Sequence, residues 1–207
     1  MSNAPSFVSE RLSLIHERGL HRSPPILETS DGVRGRVDGR EALLFCSNDY
    51  LGLRLDPRVR EAAAEGADRY GGGTGSSRLI AGTLPIHREL EEALARWLGT
   101  EATLLCSSGF QANISLLQGL AGVDDMLFSD SLNHASIIDG CRLSRASHKV
   151  IRHGDRDFLS RALALAPGGQ RFVIGEGLYS MDGERGDIAG WVAARDAAGA
   201  GTTHVLV

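Results

Sequence analysis

The sequence predicts an α/β fold, a mostly parallel sheet with helices on both faces. Three observations carry that reading. Short apolar runs at residues 102–106, 126–129, 149–152, 171–176 and 204–207 are too brief for helices and fit buried strands. Between them, residues 110–120, 135–145, 157–166 and 187–198 show helical periodicity. Strands alternating with helices build parallel sheets, because each crossover helix returns along a face of the sheet and covers it.

The elements follow in order. Residues 7–20 predict an amphipathic helix, with Val8, Leu12 and Ile15 on one face and Gly19 near its end. Pro24 and Pro25 prevent its continuation. Residues 26–46 alternate and carry Asp31-Gly32 and Asp38-Gly39, so short strands and turns are expected. A compact loop at 47–53 precedes a helix at 57–70 that opens on Pro57, where a missing N–H costs nothing. A helix at 85–98 should turn Leu90, Leu94 and Leu98 inward. The expected organisation is an N-terminal helix with short strands over 1–46 and a main domain over 47–207.

Composition narrows the function classes. With 42% hydrophobic and 23% charged residues and a net charge of −4, the chain offers no basic surface for nucleic acid. No apolar run reaches the length of a membrane span, and the polar residues 1–5 do not resemble a signal peptide. A cytoplasmic protein without membrane partners is expected. Cys46, Cys106 and Cys141 are odd in number, widely spaced and set in apolar contexts, which predicts buried free thiols. Lys149 is the single lysine against 21 arginines. His16, His21 and His148 are expected at the surface, Tyr50 and Tyr70 in packing.

Residues able to do chemistry fall where strands should end. Ser107-Ser108-Gly109 follows the run at 102–106 and opens a helix. Unsatisfied N–H groups and the positive end of the macrodipole make such a start a phosphate seat, although an ordinary serine cap has the same sequence. Asp130 and His134 follow the next strand, His153 and Asp155 the third, and residues 176–182 the fourth. In open parallel sheets ligands bind at the carboxyl ends of the strands, so four polar loops on one edge suggest one shared site. The glycine-rich residues 71–77 read either as a linker or, with Arg78, Thr83 and His87, as a specific loop.

Taken together, Asn48-Asp49-Tyr50-Leu51-Gly52-Leu53, Ser77-Arg78, Ser108-Gly109-Phe110-Gln111-Ala112-Asn113, Leu132-Asn133-His134-Ala135-Ser136, His153-Gly154-Asp155 and Glu176-Gly177-Leu178-Tyr179-Ser180-Met181-Asp182-Gly183 resemble the α-oxoamine synthases. These are pyridoxal-phosphate enzymes with the type I aminotransferase fold. The resemblance implies that Gly109 and Phe110 present backbone N–H groups to the cofactor phosphate. It implies that His134 lies flat on the pyridine ring facing the amino acid, that Ser180 hydrogen-bonds the phenolic oxygen, and that Arg22 binds the substrate carboxylate. Asn48 and residues 71–77 would shape the acyl-CoA side and a homodimer contact. The implied reaction condenses an amino acid with an acyl-CoA and releases carbon dioxide. The closest likeness is to members using L-alanine and pimeloyl-CoA in biotin synthesis; sister members use glycine or serine.

The family's Schiff-base lysine, its carboxylate against the pyridinium nitrogen and its small C-terminal domain find no match here. Lys149 does not stand at the family position, so no catalytic residue is assigned within the chain. The sequence is therefore expected to be an incomplete copy of a longer enzyme, inactive by itself. A non-catalytic fragment or pseudoenzyme is the alternative. A nucleotide-binding module is disfavoured, because neither a strand-to-helix Gly-x-Gly-x-x-Gly turn nor a Gly-Lys-Ser/Thr loop occurs. Residues 184–187 make the loop after Gly183 look longer than is usual in the family.

Overall fold

A computed structural model describes residues 5–199 and 201–207; four of the five polar opening residues lie outside the described residues. The chain forms two units, up to Leu84 and from Pro85 onward, and the boundary expected at residue 46 falls within the first.

In the first unit local signals act as expected. Helix α1 (Ser6–Glu17) is followed by strands β1 (Leu27–Ser30), β2 (Arg34–Val37) and β3 (Arg40–Leu43), paired antiparallel in that order. Asp38 and Gly39 both take positive φ (47° and 78°), which a two-residue turn between right-twisted strands requires. Helix α2 (Pro57–Tyr70) starts on Pro57, and the Asp56 carboxylate caps it by accepting from Arg58 N at 2.9 Å. Two expectations are corrected here. Tyr50 is exposed and does not pack, and Cys46 is an exposed thiol.

The second unit holds the sheet. Its elements are α3 (Pro85–Leu98), α4 (Gly109–Leu120), β4 (Met126–Asp130), α5 (Ala135–Leu143), β5 (Ser147–Ile151), α6 (Arg156–Ala164), β6 (Arg171–Ile174), α7 (Ile188–Ala198) and β7 (Thr203–Leu206). The four strands are all parallel, in the order β5-β4-β6-β7. Successive residues face opposite ways, so the sheet supplies two cores. Leu127, Phe172 and Ile174 pack with Leu117 and Ala121 of the α4 end and with Ile137 and Cys141 of α5. Phe128, Val173 and Ile151 pack with Leu159 and Leu163 of α6 and with Trp191 and Ala194 of α7. Helices thus cover both faces, as the alternation predicts.

Two further expectations give way. Residues 102–106 form no strand. A strand exists only in a ladder, and here the segment's bonds go to α3: Leu105 N donates to the Glu91 carboxylate at 2.8 Å and Thr103 Oγ1 to the Glu91 carbonyl at 2.7 Å. The buried residue of α3 is Ala95, with Glu91 and Leu94 half-buried, whereas Leu90 and Leu98 are exposed. The covered stripe is therefore rotated from the one the leucines suggest.

Polar side chains close the end of the sheet opposite the strands' carboxyl ends. Arg171, first residue of β6, donates to the Leu163 carbonyl of α6 at 3.1 Å and to the Ala198 carbonyl of α7 at 3.0 Å. One guanidinium thereby satisfies two helix C-termini. Asp125 accepts from Gly122 N and Gln170 N, both at 2.7 Å, and these two bonds hold its carboxyl below the usual carboxylate range. A lowered folded-state pKa stabilises above the unfolded value of 3.8 and is lost as pH falls through the folded value. Asp125→Asn should therefore destabilise the fold by about 1 kcal/mol at neutral pH. In urea titrations the deficit should shrink below about pH 4.

Candidate active site

Helix α4 begins as a serine-capped turn. Ser108 is extended (φ −158°, ψ 158°) and its Oγ accepts from Gln111 N at 3.1 Å, while Ser107 Oγ contacts Gln111 Oε1. The cap satisfies one amide of the first turn. Those of Gly109 and Phe110 have no carbonyl behind them within the helix, and they carry the positive end of its dipole. A Cβ added to Gly109 would meet nothing, so the chain's own packing does not demand glycine at this point.

His134 lies at the carboxyl end of β4 and caps α5. Its Nδ1 accepts from Ser136 N at 3.2 Å and lies 2.7 Å from Ser136 Oγ. An N–H donor pointing at Nδ1 requires a lone pair there, so the neutral ring carries its proton on Nε2. Ser136 is fully buried, and its hydroxyl accepts from Asn113 Nδ2 at 2.8 Å, which leaves its own proton for His134. A continuous chain, Asn113–Ser136–His134, thus runs from the N-terminal half of α4 to the histidine. The backbone N–H of His134 donates to the carboxylate of Glu176, at the end of β6. Beneath it, Asn133 Nδ2 donates to Ser129 Oγ and to the Ile174 carbonyl, each at 2.9 Å, locking the loop onto the sheet.

Ser180 sits on a tight hairpin after β6. Leu178 bridges Arg185, Tyr179 N donates to the Glu184 carbonyl at 2.8 Å, and Gly186 N to the Gly177 carbonyl at 3.1 Å. Residues 184–187 build the second arm of this hairpin and the cap of α7, where Asp187 accepts from Gly190 N at 3.1 Å. Ser180 itself is exposed at the turn.

The structure therefore places Gly109, Phe110 and His134 on elements joined by side-chain hydrogen bonds, and Ser180 on the loop that starts at Glu176. Arg22 lies in the other unit, exposed in the irregular segment between α1 and β1. Lys149 stands mid-strand in β5 with its ammonium 4.9 Å above the Phe158 ring. Sequence reasoning gave no role to Asn113, Ser136 or Glu176. The His-x-Ser spacing at a helix start was a usable signal for Ser136, since it matches an Ncap side chain meeting N2. Glu176 carried none, because its partner is an amide 42 residues away.

The buried hydroxyl makes the chain testable. Ser136→Ala strands Asn113 Nδ2 and should destabilise by about 1–2 kcal/mol in chemical denaturation. Asn113→Ala should cost about as much, and the double variant less than the sum, because the two share one bond.

The family model for aminotransferase class I and II matches residues 40–207. An 8-amino-7-oxononanoate synthase of Alkalilimnicola ehrlichii is 43% identical over 205 residues, covering 94% of this chain and 52% of its own length. One of Anaeromyxobacter sp. is 47% identical over 185 residues, covering 89% and 47%. Among solved structures, serine palmitoyltransferase of Sphingomonas wittichii superposes with a TM-score of 0.84 at 31% identity, over 96% of this chain and 50% of that one. An 8-amino-7-oxononanoate synthase of Francisella tularensis gives 0.59 at 28% identity, over 72% and 41%. The chain spans about half the length of the curated relatives it matches. The matched span holds the parallel sheet, its crossover helices and every strand-end loop described above, and the chain belongs to the aminotransferase class I and II family.

Proposed function

We propose that the protein is a pyridoxal-phosphate-dependent α-oxoamine synthase that condenses L-alanine with pimeloyl-CoA, releasing carbon dioxide, as in biotin synthesis. The observation that carries this reading is the Asn113–Ser136–His134 chain, which fixes an exposed imidazole, protonated on Nε2, beside a helix start suited to phosphate. The residues present fit the cofactor. Gly109 and Phe110 would hold its phosphate through amides and the helix dipole, and the open space at Gly109 lets an anion approach the backbone. His134 would lie on the pyridine ring, its orientation set by Ser136 rather than by the ligand. The Ser180 hydroxyl would hydrogen-bond the phenolic oxygen. When bound, pyridoxal phosphate supplies the electron sink for the reacting carbon.

The chain's own work is positioning. Glu176 holds the His134 backbone, so the ring face presented to the substrate is fixed before binding. Arg22 is proposed as the fork for the amino-acid carboxylate, on the family resemblance. The 8-amino-7-oxononanoate synthases among the relatives support alanine and pimeloyl-CoA as the pair. The serine palmitoyltransferase likeness favours a second reading, in which serine and a long-chain acyl-CoA are condensed by the same residues. A cytoplasmic homodimer is proposed with either; no described helix is long and apolar enough to cross a membrane.

The test uses protein isolated from its own cell and supplied with pyridoxal phosphate. Free thiol release from pimeloyl-CoA with alanine, exceeding that from palmitoyl-CoA with serine, is the expected result; the reverse order selects the second reading. His134→Ala should lower kcat/KM by about a hundredfold. Unchanged turnover in that variant would remove His134 from the site.

A further inference from the structure

His153, at the end of β5, is not used above, yet both of its ring nitrogens face carboxylates. Nδ1 lies 2.9 Å from Asp130 Oδ2, at the end of β4, and Nε2 lies 3.0 Å from Glu184 Oε2, on the second arm of the Ser180 hairpin. The edge of the ring meets Tyr179 of the same hairpin in a T-shaped contact, centroids 4.7 Å apart. Tyr179 is 1% exposed. Burial, reinforced by the charge of Asp130, pushes its phenol far above the usual range, and the phenol oxygen accepts from Glu176 N at 3.5 Å. Asp130 further accepts from Leu132 N at 2.9 Å. The Asp130 carboxylate thus meets groups from two strand ends, Leu132 N after β4 and the His153 ring after β5, and His153 carries the connection outward to Glu184.

A neutral imidazole has one N–H, and facing two carboxylates it would set a lone pair against an oxyanion. Only the doubly protonated ring donates in both directions. We propose that His153 is a positioning residue whose imidazolium latches the Ser180 hairpin to the ends of β4 and β5, so that the hairpin is held at low pH and released as the ring loses its second proton. The direction of release follows from exposure. The Asp130 side chain is 7% exposed and keeps its donor, whereas that of Glu184 is 58% exposed and is readily hydrated once the bond is lost. Three further charges on these segments are engaged elsewhere. On its own segment Asp155 caps α6 through Phe158 N at 2.9 Å, and Arg156 is paired with Asp187 ahead of α7. Arg152 is exposed, and Glu176 is bound to His134 N. The latch stands on this geometry alone; its effect on a cofactor rests on the role proposed for Ser180.

Limited proteolysis reads the hairpin without any cofactor. Arg185 is exposed, but its backbone pairs with Leu178, so trypsin should cut after it mainly when the hairpin opens, and the ratio of that cut to the cut at exposed Arg22 cancels the protease's own pH dependence. In the unaltered protein the ratio should rise about tenfold between about pH 6 and about pH 9. Glu184→Ala, which removes the acceptor, should start high and vary little with pH. Long-range ¹H–¹⁵N spectra at about pH 6 should show protons on both nitrogens of His153. A flat ratio in the unaltered protein, a Glu184→Ala profile that follows that of the unaltered protein, or a singly protonated His153 at that pH would each overturn the latch. None of these readouts involves turnover, so the latch can fail while the proposed reaction stands, and the reverse.

Discussion

Strand β4 runs between β5 and β6 with Leu127 packed into one core and Phe128 into the other, neither keeping appreciable contact with water. A slip of one residue would exchange the two faces and put both side chains in the wrong core, so the register cannot drift. Fixing β4 fixes what emerges from its end. Ser129 and Asp130 point to opposite faces at the last rungs of the ladder, and Asn133 ties the following loop back to the β6 carbonyl at Ile174. His134 is then delivered at the start of α5 with no freedom left in its backbone. The positions of Glu176 and of the His153 cluster follow from the same ladder, because β5 and β6 both pair with β4.

Around that edge the chain uses two kinds of support. The helix side is rigid: a fully buried hydroxyl links Asn113 to His134, and Gly140 brings α5 so close to α4 that a Cβ there would press on Leu117. Such contacts tolerate no adjustment in a close-packed interior. The hairpin side is held at fewer points. Gly175 and Gly186 lie against the ring of Trp191, where any Cβ would collide, and those contacts anchor the base of the hairpin. Beyond the base the hairpin is secured mainly by polar bonds, with Tyr179 as its buried post and Ser180 outside. An edge with one fixed and one tethered wall is rigid on one side and adaptable on the other.

Much of this was legible in the residues because the signals were local. Pro57 after Asp56, the Asp38-Gly39 turn and Ser108 ahead of Gly109 each satisfy or shape the backbone within a few positions, and each element forms where it should. The alternation of Leu127 with Phe128 and of Phe172 with Val173 marked strands buried on both faces, hence helices on both sides. His134 could be placed after a strand and before a helix, although its ring contacts could not. The misreadings have a common cause. Residues 102–106 are apolar enough for a strand, but a ladder is a property of two segments, and Glu91 took the bonds instead. Tyr50 and Cys46 look like interior residues, but burial depends on what is folded over them.

The sequence by itself determined the order of elements, their caps and turns, and the edge of the sheet on which polar residues would gather. These depend on periodicity and on bonds spanning two to four positions. The tertiary structure alone decided which of those residues meet: Ser136 with Asn113 across 23 positions, His134 with Glu176 across 42, and His153 with both Asp130 and Glu184. Hydrogen bonds need partners within about 3 Å in fixed directions, and only the packed ladder brings distant segments to that distance.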